Sequence, residues 1–300
     1  MEREILEKYK KAGSISGRAL ILGKKLVKEG ESVVKILDEI DQFIRKEGAI
    51  PAFPSQISIN NVAAHFCPTD ENDVILKEED VIKLDVGACV DGYIGDNART
   101  FVIGDKHKEL QKCSREALNE VLKIIGPDTE LQTIGKRIQE VITSYGFSPI
   151  RNLSGHGLGR YEVHEVPTIP NFDTGDDSEL DYDDVIAIEP FASTGAGVVY
   201  ESSNPTIFSL VSEKPVRSSI TREVLREIKT YHGLPFTTRW LARKFGAGKT
   251  AFALRELKVN EMLQEHPPLL DKAQGLVSQA EHSIIIGDKP IVFTKVDDDE

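Results

Sequence analysis

A short repeat that breaks its own pattern constrains this chain more than any other feature. Asp80-Val81-Ile82-Lys83-Leu84-Asp85 and Asp184-Val185-Ile186-Ala187-Ile188-Glu189 each leave an acidic turn, alternate β-branched and apolar residues, and end on a carboxylate. A strand that commits its apolar residues to a core and then places Asp or Glu inward loses free energy unless the carboxylate is paired or ligates a metal. Two such breaks, far apart in the chain, predict two half-domains facing each other across a shared site.

The rest of the chain leaves room for that arrangement. Its 300 residues can bury one or two sizeable cores. With 40% hydrophobic and 29% charged residues it reads as globular, not disordered. A net charge of −12 argues against nucleic acid as partner, because polyanion binding draws on clustered Lys and Arg. The start, Met1-Glu2-Arg3-Glu4, is charged and helical in pattern, so no signal peptide is expected. No apolar run is long enough to span a bilayer. Cys67, Cys89 and Cys113 lack zinc-knuckle spacing and form no disulfide framework. Asn152-Leu153-Ser154 matches the glycosylation pattern but carries no meaning without secretion. A soluble cytoplasmic protein is the expectation.

Apolar spacing predicts helices over 3–29 and 32–47, then a strand near 53–61. The first carboxylate strand turns at Asp91-Gly92 and returns from Tyr93 to Val102, a hairpin signal. Helices follow at about 106–125 and 129–145. Strands are expected near 149–155, 161–168, 184–193 and 196–201. Residues 217–265, which carry the sole Trp, Trp240, read as helical and interrupt the strand-rich region. Strands return near 276–286 and 290–295, ahead of the acidic tail Asp297-Asp298-Asp299-Glu300. The domain expectation is a catalytic body of 1–205 and 270–300 with an inserted helical subdomain at 206–269.

Asp85, Asp96, His156, Glu189 and Glu281 carry the chemistry. Asp85 and Asp96 lie on the two arms of one hairpin and can reach one end of a site. Four hard oxygen ligands and one imidazole suit a pair of divalent cations. Alone, each Asp or Glu would be an ordinary solvated strand end. His156 lies in Ser154-Gly155-His156-Gly157-Leu158-Gly159-Arg160, where flanking glycines leave room for close approach; the bland reading is a surface loop. His65, in Ala63-Ala64-His65-Phe66, and His164 are less distinctive, and a core role is as good a reading for each.

At this point a resemblance becomes specific. Asn60-Asn61-Val62-Ala63-Ala64-His65, Lys83-Leu84-Asp85-Val86-Gly87, Asp96-Asn97-Ala98-Arg99-Thr100, Asn152-Leu153-Ser154-Gly155-His156, Ile188-Glu189-Pro190-Phe191-Ala192-Ser193-Thr194-Gly195 and Ala280-Glu281-His282 occur in the order seen in methionine aminopeptidases. The late insertion resembles the type 2 enzymes, and the short amino terminus resembles their archaeal form. The resemblance implies an α+β, pseudo-two-fold "pita-bread" (creatinase/aminopeptidase) fold with an inserted helical subdomain. It implies two divalent ions per chain, Co, Mn, Fe or Zn, and an attacking water or hydroxide bridged between them. Asp85 would bind one ion, Asp96 and Glu281 would bridge both, and His156 and Glu189 would complete the other. Glu189 would also take the water's proton. His65 and His164 would contact the scissile amide, stabilising the oxyanion or the leaving amine. Phe53, His65, His164, Phe191 and His266 would line the methionine pocket, His266 standing where human-like members have Tyr. Cys89 replaces a His common in the family, and Arg99 is an unusual charge beside the second Asp; either could tune the metals. The implied partner is the amino-terminal Met of nascent polypeptides with a small second residue, with transient proximity to the ribosome. The implied protein is a monomer with no nucleic-acid or membrane partner.

Three other readings compete. Gly246-Ala247-Gly248-Lys249-Thr250 suggests a phosphate loop, but Arg243 stands where the first Gly belongs and a helical pattern precedes it. An Xaa-Pro aminopeptidase or prolidase would share the five ligands, but those enzymes usually carry a large amino-terminal domain, and only about fifty residues precede Phe53. An inactive relative serving as an RNA- or ribosome-binding module predicts broken ligand positions and basic tracts, and neither is seen.

Overall fold

Amphipathic spacing in the first residues builds α1 (Arg3–Leu26) and α2 (Val33–Lys46). The α2 apolar face is Val33, Ile36, Leu37, Ile40 and Ile44, all buried. Ser32 caps it, its hydroxyl accepting the Lys35 N–H at 3.1 Å. Gly48, at φ +80°, follows the C-cap Glu47. Helix α1 stops three residues short of the predicted end, because Val27 leaves helical geometry with ψ at 96°. The computed structural model describes residues 1–202 and 204–296; the predicted acidic tail lies outside them.

Two antiparallel sheets form the body. The first pairs Val81–Val90 with Ile50–Pro51, Gln56–Ile59 and Tyr93–Val102. The second runs in the order Ile291–Val292, His282–Ile285, Val185–Ile188, Ser154–Gly159, Glu162–Pro170. The two repeats enter their sheets through matching turns. Asp80 accepts the Lys77 N–H, and Asp184 the Asp181 N–H, each at 2.8 Å. The residue before each, Glu79 or Asp183, has positive φ (67° and 72°). Next, the carbonyls of Asp80 and Asp184 accept from Ile103 and Ile286, each one residue beyond the end of the neighbouring strand. The half-domain repeat read from sequence is therefore a repeat of local geometry.

Each sheet is covered by its own helices. Helices α1 and α2 pack on Ile82, Leu84, Val86 and Ala88. Helices α3 (Lys108–Val121) and α4 (Leu131–Ser144) pack on Ile169, Ile186, Ile188 and Ile284. A further core, with Phe208, Val224, Ile228, Phe236, Leu241, Leu257 and Met262, belongs to the late segment. That segment holds α5 (Ser219–Lys229), α6 (Thr238–Phe245) and α7 (Ala247–Val259). It also holds a three-stranded sheet of Ile207–Leu210, Phe236–Thr237 and Leu263–His266, where helix alone was expected.

A buried charge latch ties α6 to α2. Fully buried Arg239 points Nε at Asp38 (3.3 Å) and Nη2 at Asp41 (3.8 Å), and Nη1 donates to the Pro68 carbonyl at 2.9 Å. Trp240 Nε1 donates to Asp41 at 3.0 Å. Burial holds the Asp41 carboxyl above its usual range despite Arg239. Replacing Arg239 with Met strands a buried carboxylate and is expected to cost about 3 kcal/mol. In urea denaturation, adding Asp41→Asn should recover part of that loss; a single-variant loss below ~1 kcal/mol would show the latch to be dispensable.

Candidate metal centre and pocket

Strand register puts the first two carboxylates on one face. Asp85 pairs with Ala98 and Gly87 with Asp96, so Asp85 and Asp96 are diagonal neighbours on the same side of the hairpin. The turn between the arms holds Asp91 (φ 53°) and Gly92 (φ 97°), the left-handed pair expected of that dipeptide. Gly87 has to be glycine here, since a Cβ would strike the Phe53 ring. In the other sheet Ile188 pairs with His282, which brings Glu189 and Glu281 out side by side. His156 pairs with Ala187 on the next strand. The sheets are clasped at the site. The Asp96 N–H donates to Ser283 Oγ, which donates back to the Asp96 carbonyl, both at 2.8 Å. The Glu281 N–H donates to the Ala98 carbonyl at 2.8 Å.

The result is a dense cluster of carboxyl groups around one imidazole. Ligand atoms of Asp96, His156 and Glu281 all lie within 4.8 Å of one another. His156 Nε2 is 3.7 Å from Glu189 Oε1 and 4.0 Å from Asp96 Oδ2. Burial pushes the Asp85 carboxyl up to about 7. Burial, followed by the neighbouring carboxylates, holds Asp96, Glu189 and Glu281 well above the usual range. Burial, then His164, pushes His156 down to about 3. Asp85 Oδ1 and Asp96 Oδ1 are buried without a hydrogen-bond partner. Buried, unpartnered oxygens beside a neutral imidazole are what a divalent cation site requires, so the residues present fit a divalent metal. Gln279 Nε2 donates to Glu189 Oε2 at 3.1 Å and fixes that carboxylate from behind.

These shifts make loading proton-linked. A carboxyl raised to about 7 by burial, as that of Asp85 is, keeps its proton in mild acid and would have to release it to a bound metal. Calorimetric titration with Co or Mn should therefore release more protons at pH 6 than at pH 8, with tighter binding at pH 8. Equal affinity at both would mean that these carboxyls are not the ligands.

A cavity of about 180 Å³ opens on the cluster, and all ten residues named from sequence line it: Phe53, His65, Asp85, Asp96, His156, His164, Glu189, Phe191, His266 and Glu281. His164 stands edge-on to His156, ring centres 4.6 Å apart, and His266 edge-on to His65 at 5.9 Å. His266 Nε2 lies 2.9 Å from Ser209 Oγ. Burial pushes His65 to about 3 and His266 to about 4; His164 is solvent-exposed as a residue, but the crowding of its ring at the site lowers it too, so all are neutral near pH 7. The late segment supplies Ile207, Pro235 and His266 to the wall.

Some lining residues lie beyond what sequence reasoning named: Gln56, Asn152, Ile207, Pro235 and Leu269. Gln279, behind the site, was legible, because strand alternation from Glu281 puts it on the same face. Pro235 and Ile207 reach the wall only through folding of the late segment and leave no local signal. The glycines around His156 have another purpose than the one expected. A Cβ on Gly155 or Gly157 would strike the Ala187 or Val166 carbonyl, so they bring strands together. Cys89 lies in an apolar cluster with Tyr9, Phe53, Ile94 and Leu158. Arg99 falls on the strand face opposite Asp96, with Arg115 and His282, where burial lowers its guanidinium to about 10.

Comparison with known proteins agrees with this geometry. Residues 7–217 match the model for metallopeptidase family M24. A methionine aminopeptidase of Methanocaldococcus jannaschii is 39% identical over 295 residues, covering 98% of this chain and 99% of the relative. That of Thermococcus onnurineus is 42% identical over 287 residues, covering 95% and 96%. A solved methionine aminopeptidase of Thermotoga maritima superposes with a TM-score of 0.73 at 26% identity, covering 99% of this chain and 98% of that one. The two clasped sheets and their buried carboxylates are thus the pita-bread arrangement, and the chain belongs to metallopeptidase family M24.

Proposed function

We propose that the protein is a metalloaminopeptidase that removes the initiator Met from nascent polypeptides with a small second residue. One observation carries the reading: four carboxylates, those of Asp96 and Glu281 buried, and His156 converge on a cavity whose wall includes Phe53 and Phe191. The near full-length likeness to archaeal methionine aminopeptidases supports Met as the residue released. Asp85, Asp96, His156, Glu189 and Glu281 would hold two divalent cations. When bound, these supply Lewis acidity at the peptide carbonyl and lower the pKa of the attacking water. Glu189 accepts that water's proton, its carboxylate oriented by Gln279. His65 and His164, both neutral, place N–H donors against the developing oxyanion and the leaving amine. His65 Nδ1 is buried without a protein partner, which leaves it for substrate. Phe53, Phe191 and His266 enclose the Met side chain.

The finer assignment is also proposed: a type 2, archaeal-like enzyme with residues 206–269 as an inserted subdomain, acting as a cytoplasmic monomer in transient proximity to the ribosome. The late segment's separate core supports the insertion, and no helix among the described residues is long and apolar enough to cross a membrane. A peptide panel of Met-Ala-Ser, Met-Glu-Ser, Ala-Pro-Ser and Met-Pro tests the specificity. The expected result is release of Met from Met-Ala-Ser at least about 100-fold faster than any other cleavage. Preference for a proline peptide would move the chain to the Xaa-Pro reading, and silence on all four would favour a binding module.

A further inference from the structure

We infer that Gln56 is a positioning residue that locks His65 in the orientation needed for turnover. The backbone at His65 is left-handed, with φ at 64°, a region few non-glycine residues occupy although His enters it more readily than most. It sits where one segment changes partners. Ala64 pairs with Leu269, whereas at Phe66 the carbonyl accepts the Ile57 N–H at 3.2 Å. Between them the chain leaves the ladder, and side chains of the facing strand capture the N–H groups it would have used. Gln56 Oε1 accepts the His65 N–H at 2.8 Å, and Ser58 Oγ accepts that of Phe66 at 3.4 Å. Gln56 is only 6% exposed, lines the cavity and pairs in register with Asp85. The carboxamide therefore ties the His65 backbone to the strand that carries a metal ligand. Without that acceptor the His65 N–H loses its partner and the backbone is released toward ordinary φ, swinging the ring off the scissile bond.

The inference rests on the reading that His65 meets the substrate, and the test separates the two. Gln56→Met keeps length and apolar bulk and removes the acceptor; Gln56→Glu keeps an oxygen at the same reach. With Met-Ala-Ser and the metal-loaded enzyme, Gln56→Met should lower kcat about tenfold, the scale of one lost hydrogen bond, and leave KM within twofold. Gln56→Glu should retain more turnover than Gln56→Met. In a His65→Ala background, Gln56→Met should cause less than a twofold further loss, because residues acting through one group are non-additive. Full multiplication of the two losses, or an unchanged kcat in Gln56→Met, would overturn the positioning role. Undiminished turnover in His65→Ala alone would instead overturn the assignment of His65, and the inference with it.

Discussion

Replacing Glu189 with Gln is expected to slow Met release by between about 10² and 10⁴, the range spanned by loss of a general base. The substitution keeps shape, and an amide can still face Gln279, so the fold should be undisturbed. On the proposed reading it removes at once a cation ligand and the proton acceptor for water. Those two losses differ in their signatures. If ligation dominates, raising Co or Mn to millimolar levels recovers much of the rate. If proton acceptance dominates, saturating metal recovers little, and the acidic limb of the kcat–pH profile disappears. Glu189→Gln at the parent rate would remove Glu189 from the proposed machinery. His156→Ala should likewise abolish turnover while leaving any binding function intact.

Asp96→Asn should separate stability from function in opposite directions. Asp96 lies in a buried cluster of like charge, and its Oδ1 makes no hydrogen bond that the substitution would remove. Its carboxyl is raised in the folded protein, so the associated stability is present below the unfolded value, near 4, and is lost as pH rises through the higher folded value. The neutral amide escapes that loss. Metal-free Asp96→Asn is therefore expected to melt roughly 3 °C above the metal-free parent at pH 8, the equivalent of about 1 kcal/mol, and level with it near pH 4. Metal-dependent Met release should fall at least about 100-fold. A lower melting point for the variant at pH 8 would mean that repulsion at the cluster is relieved by some other group.

What could be read in advance follows physical range. The two acidic turns and the Asp91-Gly92 hairpin are local devices, and the structure has them where the residue pattern predicts them. That Asp85 and Glu189 face one cavity was legible because a carboxylate that ends an apolar strand violates a local rule. The three strands of the late segment were not, because each is only two to four residues long and exists by pairing such as Phe208 with Glu265, across most of the segment. The partnership of Trp240 and Arg239 with Asp41 is likewise a contact between distant helices. His65 offered no signal of its own, because its distinction is a left-handed backbone held by Gln56, and nothing in Ala63-Ala64-His65-Phe66 requires it.

Strict dependence of Met release on divalent cations at this carboxylate cluster is the core of the proposed function. Its most direct test is Met-Ala-Ser hydrolysis by chelator-stripped protein, titrated separately with Mn, Fe, Co and Zn. The predicted result is negligible release without metal, and a rate that climbs with at least one of the four and saturates by two equivalents per chain. Full release by the stripped protein, or none with any of the four metals, would contradict it.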